Sequence, residues 1–167
     1  MSHPANEDEA RIKVREMLEG IGIVMLVTME GEHSHHARPM AIQKIEGDTV
    51  WFFNMQNSPK SSAINKDSDV LIVGSNPSKQ DYVSVQGRAR AVRDVEKQKA
   101  LWTEGARVWF PKGAEDPDMG LISVTMTGAE YWDAPNSTML HAYGYLKAVT
   151  TGQQPEGGEN AKVNFGR

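Results

Sequence analysis

Residues 57–62, with the sequence NSPKSS, combine groups that proteins use to bind a phosphate. Asn57 or Ser58 is suited to cap the N-terminus of a short helix, with a proline in its first turn. Such an N-terminus presents unpaired N–H groups and a partial positive charge, to which the serine hydroxyls and the Lys60 ammonium add. No acidic residue lies between positions 56 and 66. The segment predicts an anion site; the alternative is a capped surface helix with a solvated lysine.

A second basic group, Arg88, Arg90 and Arg93, lies in a stretch without acidic residues. Side chains on a strand repeat every two residues, so Arg88 and Arg90 share one face of a predicted strand. Two interpretations stay open. The arginines bind an anion, or they form cross-strand ion pairs, which contribute only about 0–1 kcal/mol when exposed.

Three histidines, His33, His35 and His36, crowd one turn. His33 and His35 can approach a metal from the same strand face, but no third ligand lies nearby at a suitable spacing. Because a metal site needs three or four ligands with fixed supporting partners, we interpret these residues as a solvated turn and expect no metal. His141 is isolated and is expected to pack on its helix.

The chain has 167 residues, no cysteine and a formal net charge of −4. The absence of cysteine excludes disulfides, cysteine nucleophiles, thiolate zinc sites and cysteine-bound iron–sulfur clusters. The net charge provides no field that attracts nucleic acid, so none is expected as a partner. No Gly-x-Ser-x-Gly, Gly-x-Gly-x-x-Gly or Walker sequence occurs, which leaves a hydrolase triad and the common nucleotide loops without support.

The first ten residues are polar and acidic, unlike a secretory signal peptide. The most apolar stretch, Ile21–Met29, is much shorter than the ~20 residues that a membrane-spanning helix needs. We therefore expect a cytoplasmic protein that does not enter the membrane.

Apolar alternation and turn residues predict six strands with helices between them. The predicted strands are Gly22–Met29, His35–Ile45, Thr49–Met55, Asp69–Ser75, Asp81–Val92 and Leu121–Asp133. The predicted helices are Glu7–Gly20, a short one within residues 57–66, Val95–Phe110 and Thr138–Val149. Gly87, inside the fifth strand, indicates a bulge or a bend of a barrel.

The first three strands follow one another without room for the crossover of a dozen or more residues that parallel pairing requires. The pattern therefore predicts a mainly β (α+β) fold with an antiparallel, barrel-like sheet. Residues 1–150 form the predicted domain, and residues 151–167 form a tail that is predicted to be mobile or to pack on a partner subunit.

Several short motifs follow one another in a defined order along nearly the whole chain. They are Thr28 in the first strand, Arg38-Pro39-Met40, Trp51-Phe52-Phe53-Asn54, Ser58-x-Lys60, Tyr82-x-x-Val85-x-Gly87, Trp109-Phe110-Pro111 and Ala129-Glu130-Tyr131-Trp132. In this order the sequence resembles the FMN-binding split-barrel superfamily typified by pyridoxamine 5'-phosphate oxidases, and within it the general-stress-protein branch. The resemblance implies a six-stranded antiparallel split β-barrel with flanking helices. It also implies a homodimer with FMN bound in grooves at the subunit interface.

The resemblance assigns eleven residues to the cofactor site. They are Arg38, Pro39, Met40, Ala41, Phe53, Asn54, Ser58, Lys60, Tyr82, Trp109 and Trp132. By this assignment Arg38 lies near the phosphate with Ser58 and Lys60, and the backbone around Met40 meets the edge of the flavin ring. Tyr82 stands where a flavin-contacting glutamine is common. Trp109 and Trp132 are assigned to the partner subunit.

Two departures from the family pattern bear on function. The usual Ser-Arg-Lys reads Ser58-Pro59-Lys60, and losing one charge-assisted hydrogen bond to phosphate lowers affinity by ~1.5–3 kcal/mol. The Arg-x-His segment that holds pyridoxamine phosphate is missing, and no arginine lies between Arg107 and Arg167. We therefore expect that the chain does not oxidise pyridoxamine phosphate.

The resulting hypothesis is an FMN-dependent oxidoreductase that acts on an unidentified small substrate, in a stress-related role. The flavin carries the redox chemistry, so no protein side chain is named as catalytic. Two alternatives stay open: a non-catalytic flavin sensor or carrier, and a split barrel that binds haem or a deazaflavin.

Overall fold

The structure, a computed structural model, describes residues 7–133 and 159–165. The helices are α1 (Glu7–Ile21), α2 (Pro59–Lys66) and α3 (Val95–Leu101), followed by a 3-10 segment (Glu104–Val108). The strands are β1 (Ile23–Met29), β2 (His35–Glu46), β3 (Thr49–Met55), β4 (Asp69–Asn76), β5 (Asp81–Val92), β6 (Met119–Asp133) and β7 (Glu159–Asn164). The helix predicted over Thr138–Val149, with His141, lies outside the described residues.

All strand pairs are antiparallel, and the strand order is β3-β2-β1-β4-β5-β6-β7. An additional β3–β6 pairing closes β1 to β6 into a barrel and leaves β7 outside it. The interior contains fully buried apolar side chains from five of the six barrel strands, among them Leu26, Phe52, Ile72, Val85 and Ile122. The predicted mainly β fold with a six-stranded antiparallel barrel is confirmed.

Gly87 bends β5 where the sequence predicted a bulge or a bend. The register of β5 against β6 shifts between Gln86 and Gly87. A Cβ atom at Gly87 would lie 2.5 Å from Val124 Cγ1 and 2.8 Å from the Thr125 carbonyl oxygen. No side chain fits in that space, so glycine is required for the close approach of the two strands.

The single helix predicted over Val95–Phe110 is wrong, because α3 ends at Leu101. Trp102 leaves the helix with a ψ of 136°, Thr103 is extended, and the chain then forms the 3-10 segment. Trp102 packs instead against Phe53, with ring centroids 6.5 Å apart. Thr103 and Gly105 are weak helix formers, so continuing the helix through them would gain little free energy. The contact of Trp102 with Phe53 therefore decides the local structure.

The prediction that the sixth strand is the last is also wrong, because β7 lies in the segment predicted as a tail. It pairs with the C-terminal half of β6, beyond the part that β3 covers. Ala161, Val163 and Phe165 are buried, and α1 packs against the strand. The Arg11 guanidinium donates two hydrogen bonds to the Asn164 carbonyl, of 3.1 and 2.9 Å.

Candidate functional site

A groove with a volume of about 560 Å³ lies between β2, β3, the start of α2 and the 3-10 segment. This volume is in the range of roughly 300–1,000 Å³ that is typical of small-molecule and cofactor sites. Seven of the eleven residues assigned from the sequence line it. They are Pro39, Met40, Ala41, Phe53, Asn54, Lys60 and Trp109. The fold thus brings residues that are up to 70 positions apart in the sequence to one surface.

Ser58 caps α2, as the sequence predicted for this position or Asn57. Its Oγ accepts a 3.3 Å hydrogen bond from the Ser61 backbone N–H and donates one of 3.3 Å to Asn54 Oδ1. The Asn54 side-chain amide donates to Ser61 Oγ at 2.7 Å, and that hydroxyl also lies 3.2 Å from the Met55 carbonyl. Both hydroxyls thus form hydrogen bonds within the chain, and the assignment of Ser58 to an anion site stays a prediction. These hydrogen bonds fix α2 to the end of β3.

Lys60 is partly buried at the same end of the groove. Its Nζ lies 3.5 Å from Met40 Sδ, a weak acceptor. Burial, and secondly the nearby charge of Arg38, lower the pKa of Lys60 from its ordinary value. Both effects disfavour the ammonium form, and an anion bound beside it would offset them.

Arg38 is held from the opposite side, by β1. It donates a 2.9 Å hydrogen bond to Thr28 Oγ1 and forms an ion pair with Glu30. Glu30 is a neighbour that the sequence reasoning missed, because it lies eight positions before Arg38 in the sequence. The antiparallel pairing of β1 with β2, which sets Thr28 opposite His36, is the signal that could have found it.

The rest of the groove is apolar and aromatic. Phe53 contacts the rings of Trp102 and Phe110, each with a centroid distance of 6.5 Å. Trp109 is 68% exposed at the rim. It therefore lines the groove of its own chain, and its assignment to the partner subunit stays a prediction. Gln43 and Thr103 are uncharged lining residues that the sequence did not indicate. Among the described residues that line the groove, Lys60 is the only ionisable one.

Tyr82 and Trp132 do not line this groove. They lie opposite each other on β5 and β6, and their side chains are 40% and 43% exposed. Register and strand alternation place them on one exterior surface of the sheet with other exposed apolar side chains. We call this surface the outer face; its residues are Ile23, Met25, Pro39, Val73, Tyr82 and Trp132. Ile23 and Pro39 also line the groove, so the two surfaces are continuous.

The remaining candidate residues lie elsewhere. Arg88 is exposed and lies 4.0 Å from Asp69, which favours the ion-pair interpretation for that residue. Arg93 donates hydrogen bonds to the carbonyls of Asp116 and Met119, of 3.1 and 2.8 Å, and so holds the loop before β6.

The three histidines of the turn are exposed, and none of them lines the groove. His36 Nε2 lies 3.5 Å from Glu30 Oε2. Within residues 7–133 and 159–165, no group of three or more metal-ligating side chains is close enough together to hold a metal ion. No helix in the same part of the chain is long and apolar enough to cross a membrane.

The barrel is closed and antiparallel, and an external groove has Lys60 and the start of α2 at one end. These features define a split-barrel protein with a groove of the size that cofactors occupy. The chain belongs to the pyridoxamine 5'-phosphate oxidase-like family, whose model matches residues 9–156. The resemblance drawn from the ordered motifs is thereby confirmed.

Solved structures agree with this family. A protein assigned as general stress protein 26 from Jannaschia sp. CCS1 has 23% identity and a TM-score of 0.77, over 95% of this chain and 99% of that one. A general stress FMN/FAD binding protein from Xanthomonas citri has 26% identity and a TM-score of 0.66, over 78% and 92%. An F420 reductase has 18% identity and a TM-score of 0.55, over 69% and 94%. No curated protein matches the sequence.

Proposed function

We propose that the chain binds FMN in the groove and acts as a flavin-dependent oxidoreductase on a small substrate. The observation that carries this proposal is the groove itself, which is cationic at the α2 end and apolar along the rest of its length. A flavin mononucleotide has the same division, with a phosphate at one end and a flat ring system at the other. The FMN/FAD binding protein from Xanthomonas citri adds support from the same fold.

The residues present fit such a cofactor. Lys60 and Arg38 would hold the phosphate, and the N-terminus of α2 adds partial positive charge. The strand around Met40 and the aromatic side chains of Phe53 and Trp109 would hold the ring. Bound flavin supplies the capacity to accept and donate electrons, and the protein supplies binding and orientation. Since no carboxylate or imidazole lines the groove within residues 7–133 and 159–165, we assign no side chain as a general acid or base.

We further propose that a second copy of the chain covers the outer face. Six exposed apolar side chains lie on five adjacent strands, β2, β1, β4, β5 and β6. An exposed apolar surface of this kind marks an interaction site in a soluble protein. Its continuity with the groove means that a partner there would also close the open side of the cofactor site. Size-exclusion chromatography with light scattering tests this; a monomer at micromolar concentration would contradict it.

Oxidation of pyridoxamine phosphate is not part of the proposal. The sequence lacks the Arg-x-His segment of the true oxidases, and the groove offers Lys60 as its one ionisable group. A substrate that carried its own phosphate would compete with FMN for that group. An assay of pyridoxamine phosphate oxidation should therefore show no turnover.

The first experiment is the absorbance spectrum of the purified protein, followed by titration with FMN and with riboflavin. We expect the spectrum of a bound oxidised flavin, or quenching of added FMN fluorescence with saturation. Riboflavin, which lacks the phosphate, should bind more weakly. A colourless protein that takes up neither ligand would contradict the proposal.

A deazaflavin is the second candidate for the same groove, and the F420 reductase of similar fold is the observation that favours it. Parallel titration with FMN and a deazaflavin decides between the two. A non-catalytic flavin carrier is distinguished by reduction. If neither NADH nor NADPH nor any member of a substrate panel bleaches the bound flavin, the carrier interpretation replaces the oxidoreductase.

A further inference from the structure

Lys60 differs from the other lysines whose partners the structure shows. Lys13, Lys44, Lys97 and Lys99 each form an ion pair with a carboxylate. Among the described residues no carboxylate lies within 4.0 Å of Lys60 Nζ, whose one polar contact is the thioether of Met40. A partly buried amine without a carboxylate is available for chemistry that a paired ammonium resists.

The surroundings of Lys60 make its ammonium form less favourable than it is in water. Arg38 lies on β2, and its charge is paired with that of Glu30. Burial and the Arg38 charge act in the same direction on the pKa of Lys60, which lies below its ordinary value. The neutral amine, not the ammonium, is the nucleophile toward carbonyl carbon.

We propose that Lys60 is a carbonyl-capture site, at which small aldehydes that enter the groove form a reversible imine with Nζ. The amine nitrogen bonds to the carbonyl carbon, and the resulting carbinolamine loses water as the carbon–nitrogen double bond forms. One water leaves for each imine, and no oxidant or reductant is consumed. The groove provides an apolar environment that the open surface lacks, which favours loss of water over its return.

The site selects aldehydes that carry a negative charge. Arg38 and the N-terminus of α2 attract the anion toward the amine, as they would attract the phosphate of a flavin. Competition between an aldehyde and FMN at Lys60 therefore rests on the proposed function. Capture itself does not, because it needs only the amine and the groove.

The full-length protein, freed of flavin by dialysis, is incubated near pH 7 with glycolaldehyde phosphate and sodium cyanoborohydride. The borohydride reduces each imine to a stable secondary amine, and peptide mass spectrometry then measures modification at every lysine. We expect Lys60 to react faster than Lys99, because burial lowers the pKa of Lys60 whereas the hydrogen bond with Glu115 raises the pKa of Lys99. Propanal, which is uncharged, should react more slowly at Lys60 than the phosphate-bearing aldehyde.

Lys66 is the matched control, because it lies on the same helix, is exposed and does not line the groove. Arg38→Gln should slow modification of Lys60 several-fold and leave Lys66 unchanged. Modification of Lys60 no faster than that of Lys66, or insensitive to Arg38→Gln in a variant with the wild-type circular dichroism spectrum, would overturn the proposal. Modification of Lys60 in a protein that binds no FMN would support capture and contradict only the proposed function. Binding of FMN without modification of Lys60 would do the reverse.

Discussion

The region around Lys60 and the region around Asp81 each hold an ionisable group whose charged form is disfavoured by its surroundings. The two regions differ in whether the chain itself supplies a group of opposite charge. Lys60 has a cation, Arg38, as its charged neighbour. Asp81 has a carboxyl, Asp133, as its hydrogen-bonded neighbour. Burial first, and then Asp133, raise the pKa of Asp81, whereas the charges of Lys13 and Lys79 oppose that rise.

In the Asp81 region the neighbouring charged groups come from within the chain, although Asp81 Oδ1 is buried and has no hydrogen-bond partner among the described residues. Asp133 forms an ion pair with Lys13 of α1, so the cluster ties β5 and β6 to the first helix. A proton shared between the two carboxyls removes their repulsion. The Lys60 region has no such internal solution among the described residues, and it opens into the groove. The comparison teaches that a perturbed pKa alone does not locate a binding site; what matters is whether the missing partner is supplied by the protein.

Lys60→Ala gives the largest expected effect. Removing one charge-assisted contact to the phosphate should weaken FMN binding by about 1.5–3 kcal/mol, roughly ten- to hundredfold. Thermal unfolding of the ligand-free variant should stay close to wild type, because no ion pair with a described residue is lost. Lys66→Ala, on the same helix, is the control and should bind FMN as wild type does. Unchanged FMN affinity in Lys60→Ala would remove Lys60 from the phosphate site.

The barrel and most of its strands could be predicted because apolar alternation and turn residues are local signals. β5 illustrates this: Val83, Val85, Gly87 and Ala89 are buried while the residues between them face outward. β7 could not be predicted in the same way. Its alternation is short, with Lys162 exposed between the buried Ala161 and Val163. β7 is stabilised mainly by β6 and α1, which are distant in sequence.

The candidate site could be predicted only in part, for the same reason. The capping of α2 by Ser58 depends on neighbouring residues and was predicted within one position. The use of that hydroxyl by Asn54, and the ion pair of Glu30 with Arg38, depend on how strands meet. The groove wall at Thr103 exists because α3 stops at Leu101, which the helical pattern did not reveal.

Asp81→Asn tests the other half of the comparison, through pH dependence. The raised pKa of Asp81 means that the folded protein holds this proton more tightly than the unfolded chain. Its stabilising contribution is therefore complete below the ordinary pKa and is lost as the pH rises through the raised value. The variant should lack that loss, so its free energy of unfolding at pH 7 should equal or exceed that of wild type, by up to roughly 1 kcal/mol.

Urea unfolding of Asp81→Asn and wild type at pH 3.5 to 7 measures the difference. Glu16 of α1 lines the same surface cleft as Asp81 and Asp133. Glu16→Gln therefore serves as a control for the loss of one carboxylate. A variant that is less stable than wild type at pH 7, and that loses stability relative to wild type as the pH rises, would show that Asp81 is ionised and favourably paired there.

Glu30→Gln should give a smaller effect. It tests how far Glu30 already neutralises the positive charge of Arg38 beside Lys60. Glu30 offsets the charge of Arg38, so its removal should increase the positive potential at the phosphate position. We expect FMN to bind about two- to fivefold more tightly, which corresponds to the ~0.4–1 kcal/mol typical of partly exposed pairs. Riboflavin affinity should not change, since it carries no phosphate. Weaker FMN binding would mean that Glu30 mainly positions Arg38.

Arg107→Ala should give the smallest effect, although it disrupts the ion pair between Arg107 and Glu104 on the 3-10 segment. Hydrogen bonds from Arg107, and secondly from Trp102, lower the pKa of Glu104 to about 2. Both partners are exposed, however, so water screens the pair as it does other surface ion pairs. We expect a change in Tm of at most a degree or two and unchanged FMN affinity by fluorescence titration. A loss of affinity as large as that of Lys60→Ala would mean that the 3-10 segment, and not the α2 corner, controls cofactor binding.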